Sequence, residues 1–77
     1  METNEIINKV VSILNSFNRT KVEELFEIKK VIRDSLEFMT FIVRVEEEFG
    51  IFIDESHFDH ILERDYLLNT IHNYLSE

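Results

Sequence analysis

Near the start of the chain, Ile6, Ile7, Val10, Val11, Ile13, Leu14 and Phe17 recur at helical intervals. The spacing predicts a helix I over residues 4–17, with Thr3 or Asn4 as N-cap and Glu5 in the first turn. Asn18-Arg19-Thr20 breaks the pattern, and a long connection runs to Arg33. Within it Val22, Leu25, Phe26, Ile28, Val31 and Ile32 are placed to pin the chain to the core, and residues near 21–26 to form a short helical turn. So long a connection in a small domain holds buried anchors or carries function.

Helix II starts at Asp34, an N-cap residue followed three positions later by Glu37 in a box-like start, and it runs to about Phe49. Phe38, Phe41, Ile42, Val45 and Phe49 form one apolar stripe for the core, which leaves Leu36, Met39, Thr40, Val43 and Glu47 on or near the opposite edge. Gly50, the sole glycine, falls where the helix must stop and where a left-handed residue is cheapest. After Ile51 and Ile53, the run from Asp54 to Leu62 reads as a turn entering a short helix III whose one apolar face is Phe58, Ile61 and Leu62. Helix IV is expected from Arg64 or Asp65 to Leu75, with Leu67, Leu68, Ile71, Tyr74 and Leu75 inward. There is no repeat, low-complexity stretch or strand-like alternation of useful length. The expected fold is therefore all-α, a small four-helix bundle with a long loop between helices I and II.

Seventy-seven residues, 44% of them hydrophobic and seven of them Phe, suffice for one compact domain spanning 1–77. Without cysteine, neither a disulfide nor a thiolate metal site can staple it, and helix packing must supply the stability. Sixteen acidic against eight basic residues give a net charge of −8. That charge keeps a small domain in solution, argues against nucleic acid and membrane as partners, and suits weak docking to proteins with basic patches. No apolar stretch approaches a membrane span, and the N-terminus lacks the pattern of a signal peptide, so a cytoplasmic location is expected. A Met at the start and no linker-like segment at either end point to a freestanding protein, expected to be a monomer.

Few reactions suit these residues. His57 and His60 stand three apart among Asp54, Glu55 and Glu63, but such pairs are frequent on acidic surfaces and no cysteine supports them, so no metal site is expected. The run from Asp54 to Asp65 fails as a calcium loop, because Phe58 takes a ligand position and no glycine supplies the central turn. One glycine cannot build a phosphate-cradling loop or a nucleophile elbow. An enzyme is not expected. What stands out is Asp34-Ser35-Leu36, which sets a serine hydroxyl at the start of an acidic helix, where unpaired N–H groups and a partial positive charge favour a phosphodiester.

From Asp34 to Ile53 the chain resembles the acyl and peptidyl carrier proteins: Asp-Ser-Leu, an acidic second helix, Glu46-Glu47-Glu48-Phe49-Gly50-Ile51, then a second Ile. The resemblance implies an acyl-carrier-protein-like fold and a carrier function, with Ser35 as the attachment point of 4'-phosphopantetheine. In that chemistry the serine hydroxyl attacks the pyrophosphate of coenzyme A on a separate, magnesium-dependent phosphopantetheinyl transferase. Asp34 would cap the helix and lie next to the metal during transfer. Leu36, Met39 and Val43 would form an apolar strip for partners, the enzymes that load and process acyl or aminoacyl cargo, with Glu37 and Glu47 supplying charge. A chain free of cysteine offers no thiol to compete for a thioester. Two departures stand out. Ile32 occupies a position that is commonly Gly in the family, and Glu37-Phe38-Met39-Thr40 replaces the run usual in fatty-acid-synthesis members, which points to a peptide, polyketide or amino-acid pathway. Lys29, Lys30 and Arg33 put basic charge ahead of the serine. The alternative is an unmodified acidic helical adaptor that binds a protein partner.

Overall fold

The computed structural model describes residues 2–17 and 28–76, less the side chains of residues 29 and 30. Every regular element among them is helical: α1 (Thr3–Asn15), the single turn α2 (Ile28–Val31), α3 (Ser35–Phe49), a 3-10 turn (Glu55–His57) and α4 (Arg64–Leu75). Three of these are long helices, and α1 packs against both α3 and α4.

One cluster of side chains closes the interior. Ile6, Val10 and Leu14 from α1 meet Phe41, Ile42 and Val45 from α3 and Leu67 and Ile71 from α4, all essentially without solvent exposure. Phe38 faces the core as expected but sits half-buried at its margin, where its ring meets Phe58 edge-on at 5.4 Å. Ile28, Val31 and Ile32 are buried too, so the end of the long connection is anchored as its apolar residues implied. The Ile32 side chain fills the core just before α3. The anchors Val22, Leu25 and Phe26, and the helical turn expected near 21–26, lie outside the described residues.

The structure differs from the sequence-based expectation at the ends of α1 and over the whole of helix III, so three long helices, not four, are seen among the described residues. Helix α1 stops at Asn15 instead of Phe17: the Ser16 N–H is shared between the carbonyls of Ser12 and Ile13, and the Phe17 N–H turns to that of Leu14 in a tighter three-residue loop. Its N-cap is Glu2, without a side-chain cap, while the Thr3 hydroxyl lies 3.0 Å from His72 Nε2 on α4. The segment expected as helix III is a 3-10 turn followed by further turns, held by bonds such as Phe58 N–H to the Glu55 carbonyl at 3.0 Å and Glu63 N–H to that of His60 at 3.0 Å. It is too short to sustain an α-helix on its own. Ile61 alone on its apolar face is fully buried, with Phe58 and Leu62 half-buried.

Candidate functional site at the start of helix α3

Asp34 sits in extended backbone and accepts a hydrogen bond from Glu37 N–H at 2.8 Å on Oδ1, so it is the side-chain N-cap of α3. The reciprocal half of the box is displaced by one residue. Glu37 Oε1 accepts from the backbone N–H of Arg33 at 3.0 Å, not from that of Asp34. Residues 33–37 are thereby tied at both ends, and the Phe38 N–H to Asp34 carbonyl bond of 2.9 Å closes the first helical turn. The start of α3 is thus fixed by hydrogen bonds within residues 33–38.

Ser35 occupies the first helical position on this platform, with its side chain exposed. The backbone N–H groups of Ser35 and Leu36 belong to the first turn and have no carbonyl within the helix to bond. Asp34 Oδ2 has no hydrogen-bond partner among the described residues, so one carboxylate oxygen holds the cap and the other is open to a cation. A hydroxyl, an electropositive helix end and a carboxylate thus share one exposed corner. Arg33 is exposed beside it, whereas the side chains of Lys29 and Lys30 are outside the described set.

The other end of α3 is equally well defined. Gly50 stands at φ 66°, and the Ile51 N–H reaches back to the Glu46 carbonyl at 3.1 Å, the six-to-one bond of a Schellman motif. The Glu46 side chain adds a second clamp, accepting from Ile53 N–H at 2.8 Å. The segment after the helix is thereby folded back along α3.

Below Ser35, the apolar strip is on the surface: Leu36 is 77% exposed, Met39 46% and Val43 44%. Glu47 is exposed beside Val43 and Arg44, and a shallow groove of about 360 Å3 runs among Met39, Thr40, Val43, Arg44 and Glu47. Glu37, by contrast, is committed to the Arg33 backbone. The histidines are also engaged: His57 Nδ1 lies 2.8 Å from the Tyr66 hydroxyl, and His60 Nδ1 lies 2.7 Å from Glu63.

One exposed residue went unread in the sequence. Phe52 is 74% exposed. Ile51 and Ile53 flank it in an extended stretch whose alternation turns them inward and Phe52 out, and that local pattern was the available signal. No family model, curated protein or solved structure matches this chain.

Proposed function

We propose that the protein is an acyl or aminoacyl carrier, modified on Ser35 by 4'-phosphopantetheine, with the small four-helix layout of that family in which the 3-10 turn stands for the minor helix. The observation that carries this reading is the exposed Ser35 hydroxyl at the first position of α3, beside an Asp34 whose second carboxylate oxygen has no hydrogen-bond partner among the described residues. Ser35 Oγ would form a bond to the phosphorus bearing the pantetheine arm, lose its proton, and release the adenosine bisphosphate half of coenzyme A. Asp34 would lie beside the transferase's magnesium, which offsets charge repulsion between carboxylate and pyrophosphate. The bound arm supplies a thiol that holds cargo as a thioester. This chain's own part is to present the arm at a capped helix start and to offer partners Leu36, Met39, Val43 and Glu47.

Departures from the fatty-acid-synthesis pattern at residues 37–40 favour a specialised peptide, polyketide or amino-acid pathway, with loading and processing enzymes as partners. Incubation with a fluorescent coenzyme A, Mg2+ and a promiscuous transferase tests the reading by in-gel fluorescence. Wild type should label, Ser35→Ala should not, and Asp34→Ala should label more slowly. Labelling that persists in Ser35→Ala would refute the assignment, and no labelling of folded wild type would favour the unmodified acidic adaptor.

A further inference from the structure

A groove of about 690 Å3 lies between α1 and α3. Arg44, on its wall, is nine residues beyond Ser35, about two and a half helical turns, and so faces the opposite side of α3 from the serine. The two helices run antiparallel here. Lys9 Nζ donates to Glu48 at 3.1 Å near one end, and Arg44 donates to the Ser16 hydroxyl at the other. Between these cross-links the groove measures about 6 Å along α3 and about 10 Å along α1. Ile13 is its buried apolar floor, and Asn8 and Ser12 are exposed on the α1 wall.

Arg44 and Glu47 stand three residues apart on α3, the spacing at which opposite charges on one helix ordinarily meet. They do not meet here. The Arg44 guanidinium reaches across to Ser16 and lies 5.0 Å from the centre of the Phe17 ring, while Glu47 has no hydrogen-bond or ion-pair partner among the described residues. A guanidinium has five N–H donors in a planar fork suited to a carboxylate, and Ser16 takes only part of that capacity. A cation and an anion are thus held apart on one wall of the groove.

We propose that this groove binds a short zwitterionic peptide of dipeptide length, with its carboxylate on Arg44 and its ammonium on Glu47. The volume lies within the range of ligand sites, roughly 300 to 1000 Å3. Charge selects the class: a net charge of −8 opposes an anionic ligand, Lys9 and Arg44 oppose a polycation, and a zwitterion meets neither objection. Length selects the size, since two extended residues span about 7 Å, the reach between the cross-links. The Asn8 amide and the Ser12 hydroxyl face the ligand's peptide group, and a small side chain covers Ile13. Neither Ser35 nor its modification enters this site, so the inference stands apart from the carrier reading.

The test titrates the full-length, unmodified protein with the dipeptide Ala-Gln at about pH 6.5 and low ionic strength, where the ammonium is charged and screening is weak, and follows backbone amides by NMR. The amides of Ser12, Ser16, Arg44 and Glu47 should shift and saturate with a Kd of about a millimolar. N-acetyl-Ala-Gln, which lacks the ammonium, and Ala-Gln amide, which lacks the carboxylate, should each bind about tenfold more weakly. Glu47→Gln should weaken Ala-Gln by a similar factor while leaving the N-acetyl form unchanged, and Arg44→Gln should do the same with respect to the amide form. Glu47 is exposed and unpartnered among the described residues, so its variant keeps the fold, and thermal melting checks both variants. Absence of saturable shifts at these four amides, capped forms that bind as tightly as Ala-Gln, or Ala-Gln binding unaltered in Glu47→Gln would overturn the inference. None of these results touches the labelling of Ser35, which is scored separately.

Discussion

Gly50 would meet nothing within 4 Å if it carried a Cβ, so space is not what it supplies. Its φ of 66° is. Gly50→Ala should therefore cost about 1 kcal/mol in urea denaturation, from the left-handed backbone alone, and Gly50→Asn should cost less. At the opposite end, Asp34→Ala should cost about 1 kcal/mol through loss of the Glu37 N–H bond. Ser35→Ala should leave stability nearly unchanged, because the exposed hydroxyl is not what holds the turn. The pair separates cap from attachment point: one variant reports on folding, the other on modification.

Helix α3 was legible from Asp34 to Gly50 because both of its end signals are local: a capping side chain three residues from its N–H, and a glycine at the stop. The start of α1 and the 55–62 segment were not, since they depend on distant groups. Thr3 meets His72, and the 3-10 turn leans on Tyr66 through His57 and on Tyr74, whose hydroxyl accepts from Asp54 N–H at 3.1 Å. That turn has its own acid response. The Ser56 side chain first, then the Ser56 N–H, and to a lesser degree the charge of His57 hold the Asp54 carboxyl below its ordinary range against a small desolvation effect. A depressed folded value means that its stabilisation is complete above the unfolded value of about 3.9 and is lost as pH falls through the lowered folded value. Asp54→Asn should accordingly flatten the acid limb of stability as pH falls below the ordinary carboxyl value of about 3.9, read by urea melts across that limb. An unaltered limb would show that the Ser56 contacts do not persist in solution.

For the whole molecule, the all-helical class and most of the core followed from periodicity, because Phe41, Ile42, Val45, Leu67 and Ile71 obey a single inward stripe on their helices. The Ser35 corner was legible for the same local reasons as α3. The groove between α1 and α3 was not: Lys9 meets Glu48 and Ser16 meets Arg44 only once the two helices pack. A net charge of −8 makes the molecule as a whole responsive to salt. If encounter with a basic transferase is steered by that field, kcat/KM for modification should fall steeply from low to physiological ionic strength and level off beyond it, as measured in stopped time courses. The most direct test of the central claim is the intact mass of purified protein before and after treatment with coenzyme A, Mg2+ and a promiscuous transferase, with fragment masses locating the change. The account predicts a gain of one phosphopantetheinyl group, confined to the fragment holding Ser35 and absent in Ser35→Ala. A folded wild-type protein of unchanged mass, or a gain at another residue, would contradict it.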